Sequence, residues 1–194
     1  MHEQQLTGQN SHKLLRWTAR ILLITAIFAT CVTLKGQAEF NGWAINPKVG
    51  IGIGTNFGGV GAGLEFNLIT NQSVSSFDVY LGEDTRYFFG DNNSKFRQVG
   101  IMFGKYTDKK HIRIMYQGGL APTWGILRGY YTDMGDYVEP ESFMTIGLVG
   151  KLGLKIVPSH NVSLGIDLQG NLNLKNPMFM PSISIEFGKL RARD

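Results

Sequence analysis

Residues 50–66 read GIGIGTNFGGVGAGLEF, and the fold depends on which way these glycines face. A loop that cradles phosphate places glycines at fixed offsets ahead of a helix N-terminus. Here they keep a period of two. Gly50, Gly52 and Gly54 alternate with Val49, Ile51 and Ile53; beyond Asn56, Gly61 and Gly63 alternate with Val60, Ala62, Leu64 and Phe66. That is the period of a β-strand, whose successive side chains point to opposite faces. Neither G-x-x-x-x-G-K-[ST] nor G-x-G-x-x-G occurs in the stretch, so it reads as a hairpin and not as a nucleotide site.

The same alternation recurs along the chain. Eight segments carry it, roughly 43–55, 60–69, 74–85, 97–106, 111–124, 143–157, 162–173 and 179–189, with turn-forming residues between them. Nothing between residue 40 and the C-terminus reads as a helix. One face of each segment is apolar, as in Ile45, Val49, Ile51, Ile53 or Leu148, Leu152, Leu154, Ile156. The other is small or polar and carries Lys48, Glu65, Asp78, Asp84, Arg113, Gln117, Lys151, Lys155, Asp167, Gln169, Asn171 and Glu186.

Eight even strands in sequence predict an all-β, antiparallel up-and-down barrel, a form that leaves no unpaired edge. Two such barrels fit the alternation. A soluble, calycin-like barrel turns the apolar face inward around an apolar ligand, whereas a transmembrane barrel turns it to lipid and keeps polar groups inside. The glycines favour the second. An eight-stranded barrel has an interior that side chains just fill, so an inward face bearing charges needs small neighbours. A solvent-exposed face has no such need, and glycines there only weaken strands. The expected lumen is therefore polar and filled by side chains. Its network comprises Lys48, Glu65, Asp78, Arg113, Lys151, Lys155, Asp167 and Glu186, with Lys48 facing Glu65 and Lys151 facing Asp167.

The first residues belong to a different regime. Lys13, Arg16 and Arg20 precede an apolar run from Ile21 to Leu34, followed by Gly36-Gln37-Ala38, which is the pattern of a secretory signal cleaved after Ala38. This divides the chain into a signal, 1–38, and a barrel domain, 39–194. The only cysteine, Cys31, falls inside the signal, and Phe28-Ala29-Thr30 before it makes a poor lipoprotein box. Beyond Ala38, fifteen basic and fourteen acidic residues remain, so most of the formal +4 charge of the chain belongs to the signal. No basic cluster offers a footprint for nucleic acid.

Connection lengths add an independent pattern. The second, fourth and sixth connections are short (Thr70–Ser73, Thr107–Lys110, Pro158–Asn161), while the third and fifth, 86–96 and 127–142, are long. Membrane barrels show this rhythm, with short periplasmic turns and longer external loops. Aromatic residues gather at the long-loop end, and the predicted girdles at the lipid interfaces include Phe89, Phe96, Trp124, Tyr130, Tyr131 and Phe143 above. Trp43, Phe77, Tyr106 and Phe187 form a thinner girdle below.

With signal, eight alternating segments, loop rhythm and a final strand SISIEF (residues 182–187) ending in Phe187, the chain resembles the small eight-stranded outer-membrane barrels. That group includes the transmembrane domain of outer-membrane protein A and outer-membrane protein X. The Gly-Gln-Ala signal end and the glycine-rich first hairpin also look like the PorT-like outer-membrane barrels of Bacteroidota. The resemblance departs at the C-terminus, where Gly188–Asp194 follow the aromatic residue that usually ends such a chain. It implies residence in the outer membrane, contact with its lipid and lipopolysaccharide, recognition by the barrel-assembly machinery, and membership of a larger envelope complex as an option. A structural, anchoring or surface-interaction role through loops 86–96 and 127–142 follows from it.

Some barrels of this size modify lipid A, and the resemblance implies a histidine with serine or an acid near the external mouth for that chemistry. Beyond the signal the histidines are His111 and His160, and the strand order puts both at the opposite end. No enzyme activity is expected. No cofactor is expected either, and no metal, since ligand spacing is absent; the acidic loop Asp133, Asp136, Glu139, Glu141 lacks the calcium-loop pattern. A packed eight-stranded lumen leaves no aqueous channel.

Overall fold

A computed structural model describes residues 40–190, apart from 56, 72, 85–93, 128 and 132–136 and the side chains of 57, 130, 131, 137 and 138. Ten strands are present among the described residues: β1 (Phe40–Gly54), β2 (Phe57–Thr70), β3 (Ser73–Asp84), β4 (Lys95–Lys109), β5 (Ile112–Leu127), β6 (Tyr130–Tyr131), β7 (Tyr137–Val138), β8 (Glu141–Ile156), β9 (Val162–Leu172) and β10 (Met178–Lys189). Eight of them close into an antiparallel barrel in the order β1-β10-β9-β8-β5-β4-β3-β2, and β6 pairs with β7 as a small ribbon between β5 and β8.

Residues 1–39, where a signal is expected, and Phe89 lie outside the described residues. Several strands run longer than their alternation suggested. β4 continues to Lys109, so the connection expected at Thr107–Lys110 shrinks to Lys110–His111, with Lys110 at φ 50° in the left-handed region. His111 accordingly sits in that turn and does not begin the next strand. β4 also starts at Lys95 and β8 at Glu141, which shortens the two long connections to 85–94 and 128–140.

The register fixes the tilt. Ser73 on β3 lies opposite Lys105, Lys105 opposite Tyr116, Tyr116 opposite Leu152, Leu152 opposite Leu168, and Leu168 opposite Pro181. Pro181 is level with Ile51, Ile51 lies opposite Val60, and Val60 lies opposite Glu83, so one circuit returns to β3 ten residues above its start. A stagger of that size in eight strands inclines them by about 40° to the barrel axis.

Side chains sort by this closure. On each of the eight barrel strands the apolar set points outward, and Ile51, Leu64, Leu120, Leu148, Ile166 and Ile183 are each more than half exposed. The polar set points inward and is buried. This arrangement is the reverse of a barrel holding an apolar ligand in its interior. The opening glycines face inward, as the argument from room requires. A Cβ on Gly61 or Gly63 would strike the Tyr80 ring, and one on Gly63 would also press on the Lys48 side chain. Gly61 and Gly63 thus leave the space that Tyr80 and Lys48 occupy.

Candidate functional site

The lumen is the only place in the described residues where ionised groups gather away from water. Lys48 on β1 holds Glu65 of β2 at 3.1 Å and Asp78 of β3 at 2.7 Å, and donates to Gln169 of β9 at 2.9 Å. Lys151 on β8 donates to the other Glu65 oxygen, Oε1. Lys155, four residues further along β8, meets Asp167 of β9 at 2.9 Å and lies 3.9 Å from Glu186 of β10. These side chains are buried, as are Asn67 and Ser163, which donate to the two Glu186 oxygens at 3.1 and 2.7 Å. Above this layer Asn171 donates to Gln98 Oε1 at 2.6 Å and to Thr123 Oγ1 at 2.9 Å.

The pairing differs from the sequence expectation in one respect. Lys48 does reach Glu65, though diagonally, because Gly63 is its register partner and Glu65 lies opposite Asn46. Lys151 does not take Asp167. Gln169 stands opposite Lys151 and Gly153 opposite Asp167, which leaves Asp167 to Lys155 and sends the Lys151 ammonium across the lumen to Glu65.

Both ends of the polar column are closed by apolar layers. At the long-loop end Tyr80, Phe96, Phe143, Met178 and Met180 pack into one cluster, with the Tyr80 and Phe96 rings 5.7 Å apart and Lys48 5.9 Å below the Tyr80 ring. Phe143 and Phe96 are therefore lumen plugs and not interface aromatics: their strand parity matches Lys151 and Gln98, so they must point inward. At the other end Ala44, Ile69, Val157 and Leu190 pack together with Tyr106 against them. Tyr106 likewise faces inward, where its hydroxyl donates to the Thr70 carbonyl at 3.1 Å.

Arg113 braces that lower closure. Its Nε and Nη2 donate to the two Asp108 oxygens at 2.7 and 2.9 Å, Nη2 also donates to the Leu190 carbonyl at 2.9 Å, and the guanidinium lies 4.5 Å from the Tyr106 ring centre. The residues after Phe187 thus have a place: the Gly188 and Leu190 N–H groups donate to the Asn161 and His160 carbonyls, tucking Leu190 under the barrel.

Of the remaining predicted girdle, Trp43 and Phe187 are outward and exposed near the terminal end, and Trp124 is outward near the loop end. Phe77 is outward but stands mid-barrel. The positions of the Tyr130 and Tyr131 side chains lie outside the described set. His111 and His160 are exposed at the terminal end, and no group of His, Cys, Asp and Glu suited to a metal occurs among the described residues. The side chains of the lumen hold one another, so what the arrangement does chemically is neutralise charge and fill space.

Solved structures share this architecture. Neisserial surface protein A superimposes with a TM-score of 0.60 at 11% identity, covering 75% of this chain and 96% of that one. The chain has the fold of the small outer-membrane barrels. The attachment invasion locus protein Ail of Yersinia pestis gives 0.56 at 9% identity, over 77% of this chain and 99% of that one. OprG from Pseudomonas aeruginosa gives 0.54 at 10%, over 78% and 97%. No protein-family model and no curated protein sequence matches the chain.

Proposed function

We propose that this chain is a non-enzymatic integral protein of the bacterial outer membrane, exported with loss of residues 1–38, whose barrel is a rigid anchor for its external connections 85–94 and 128–140. One observation carries the reading: apolar side chains cover the outside of the barrel while its charges are paired within, and both mouths are closed by apolar plugs. Such a body is at home in hydrocarbon and offers water no path through it. Specificity then resides in the connections, which a rigid scaffold presents. The same fold in Ail was solved in complex with the heparin analogue sucrose octasulfate, which supports a surface-interaction role for a barrel of this size.

Its partners are outer-membrane lipid and lipopolysaccharide, the barrel-assembly machinery during insertion and, as an accessory role, a larger envelope complex. Kinship with PorT-like barrels of Bacteroidota is the finer reading, resting on the glycine-rich first hairpin. Cell fractionation tests the core claim. The chain should sediment with the outer membrane, resist alkaline carbonate, and migrate faster on gels before boiling than after. Recovery in a soluble fraction without detergent would overturn the reading. Purified barrel in a planar bilayer should show no steady conductance.

A further inference from the structure

The apolar belt is not the same height all round the barrel. Because the register climbs ten residues in one circuit, positions of equal height can be matched between strands. On β8 the outward positions from Met144 to Ile156 are apolar or glycine without a break, which at the tilt above spans about 30 Å of height. On β3 only Phe77, Val79 and Leu81 are apolar, between Ser75 and Glu83, and on β4 only Val99, Ile101 and Phe103, between Lys105 and Arg97. Each of those gaps measures about 20 Å between its polar ends. The two strands reach the same limits independently, at matching heights, and the shortfall is divided between the two ends.

The charges at the edges name the occupant. Arg97 and Lys95 face outward above the short belt and Lys105 below it, all exposed. Glu83 pairs with Lys95 at 3.2 Å, and neither Arg97 nor Lys105 has an ion-pair partner among the described residues. Cations at both polar edges are complementary to lipid phosphates on both surfaces. Their side chains can snorkel a few ångströms outward, but Ser73 and Ser75 cannot.

We propose that the β3–β4 face holds a locally thinned bilayer, with lipid phosphates drawn toward Lys105 and Arg97, while the β5–β8 face meets lipid of full thickness. The mismatch is met by bending the membrane on one side only. This inference rests on the reading that the barrel spans a membrane.

Paired probes at equal height test it. Ser75 matches Leu154 near the terminal end, and Glu83 matches Ile146 near the loop end. In a chain carrying Cys31→Ser, single cysteines at these four positions are labelled with an environment-sensitive fluorophore and reconstituted in phosphatidylcholine vesicles of 18-carbon chains. Carbonate resistance is checked first, and failure to insert would sink the membrane reading and this inference together. In inserted protein the S75C label should be quenched by an aqueous quencher severalfold more than the L154C label, and the E83C label more than the I146C label. Adding Ser73→Leu and Lys105→Leu to the S75C chain should move its label into hydrocarbon.

Equal quenching within each pair would mean a level membrane and overturn the proposal. Opposite signs in the two pairs would mean a leaning barrel and overturn it too. Cross-linking of S75C between copies would show that a second barrel, and not thinned lipid, covers the face.

Discussion

Lys151 and Glu65 form an ion pair although their strands, β8 and β2, stand four places apart in either direction round the barrel. The contact crosses the lumen at its widest separation, so it is a strut between opposite walls and not a rung between neighbours. Glu65 also takes Lys48 from β1, and both carboxylate oxygens are thereby used.

Removing one end of the strut leaves a buried charge short of a partner. Lys151→Met should destabilise the barrel in detergent by about 3 kcal/mol, the low end for a broken buried pair because Lys48 remains on Glu65. Lys175, which meets Glu141 at 3.0 Å with both side chains more than half exposed, is the control. Lys175→Met should change stability by less than about 1 kcal/mol. Urea unfolding followed by tryptophan fluorescence separates the two, and equal effects would refute the strut.

How much of this was legible follows from which interactions are local to a strand. Alternation alone placed the charged face and the apolar face, because side-chain direction in a strand has period two and needs no knowledge of neighbours. It also held the answer for Phe143: Met144, Ile146 and Leu148 are outward, so Phe143 had to be inward, and an aromatic beside a long loop masked that parity. The choice of Glu65 over Asp167 by Lys151 was not legible. It depends on the stagger of the closed barrel, a property of all eight strands together, and no adjacent pair of segments encodes it.

The inward and outward glycines should respond oppositely to the same change. Gly118, Gly150 and Gly170 lie side by side on the outer face of β5, β8 and β9, and a Cβ on Gly150 or Gly170 meets nothing within 4 Å. Gly150→Val should stabilise by up to about 1 kcal/mol through strand propensity. Gly61→Val drives a side chain into the Tyr80 ring and should cost about 2–3 kcal/mol by overpacking. Reversed signs in unfolding titrations would invert the assignment of faces.

Tryptophan substitution distinguishes a plug from an interface aromatic. Phe143 is 6% exposed within the Tyr80, Phe96, Met178, Met180 cluster, so Phe143→Trp should cost about 1–3 kcal/mol. Phe187 is 49% exposed, and Phe187→Trp places an indole where interfacial tryptophan is favoured, leaving stability unchanged or raised. Thermal melts in lipid vesicles read both. A Phe143→Trp variant as stable as the parent would return Phe143 to the girdle.

The segment after Phe187 should behave as part of the barrel because Arg113 ties it in. The guanidinium engages both Asp108 oxygens and still reaches the Leu190 carbonyl, a geometry that a single ammonium cannot reproduce. Arg113→Lys should therefore lose about 1.5–3 kcal/mol from the charged hydrogen bonds, with the loss concentrated at the C-terminal end of β10. Limited proteolysis with mass spectrometry checks the location: cleavage after Lys189 should accelerate in the variant while cleavage in the 128–140 connection stays constant. Unchanged cleavage at Lys189 would mean that Leu190 is held by its own packing and its bond to His160, and that Arg113 serves Asp108 alone.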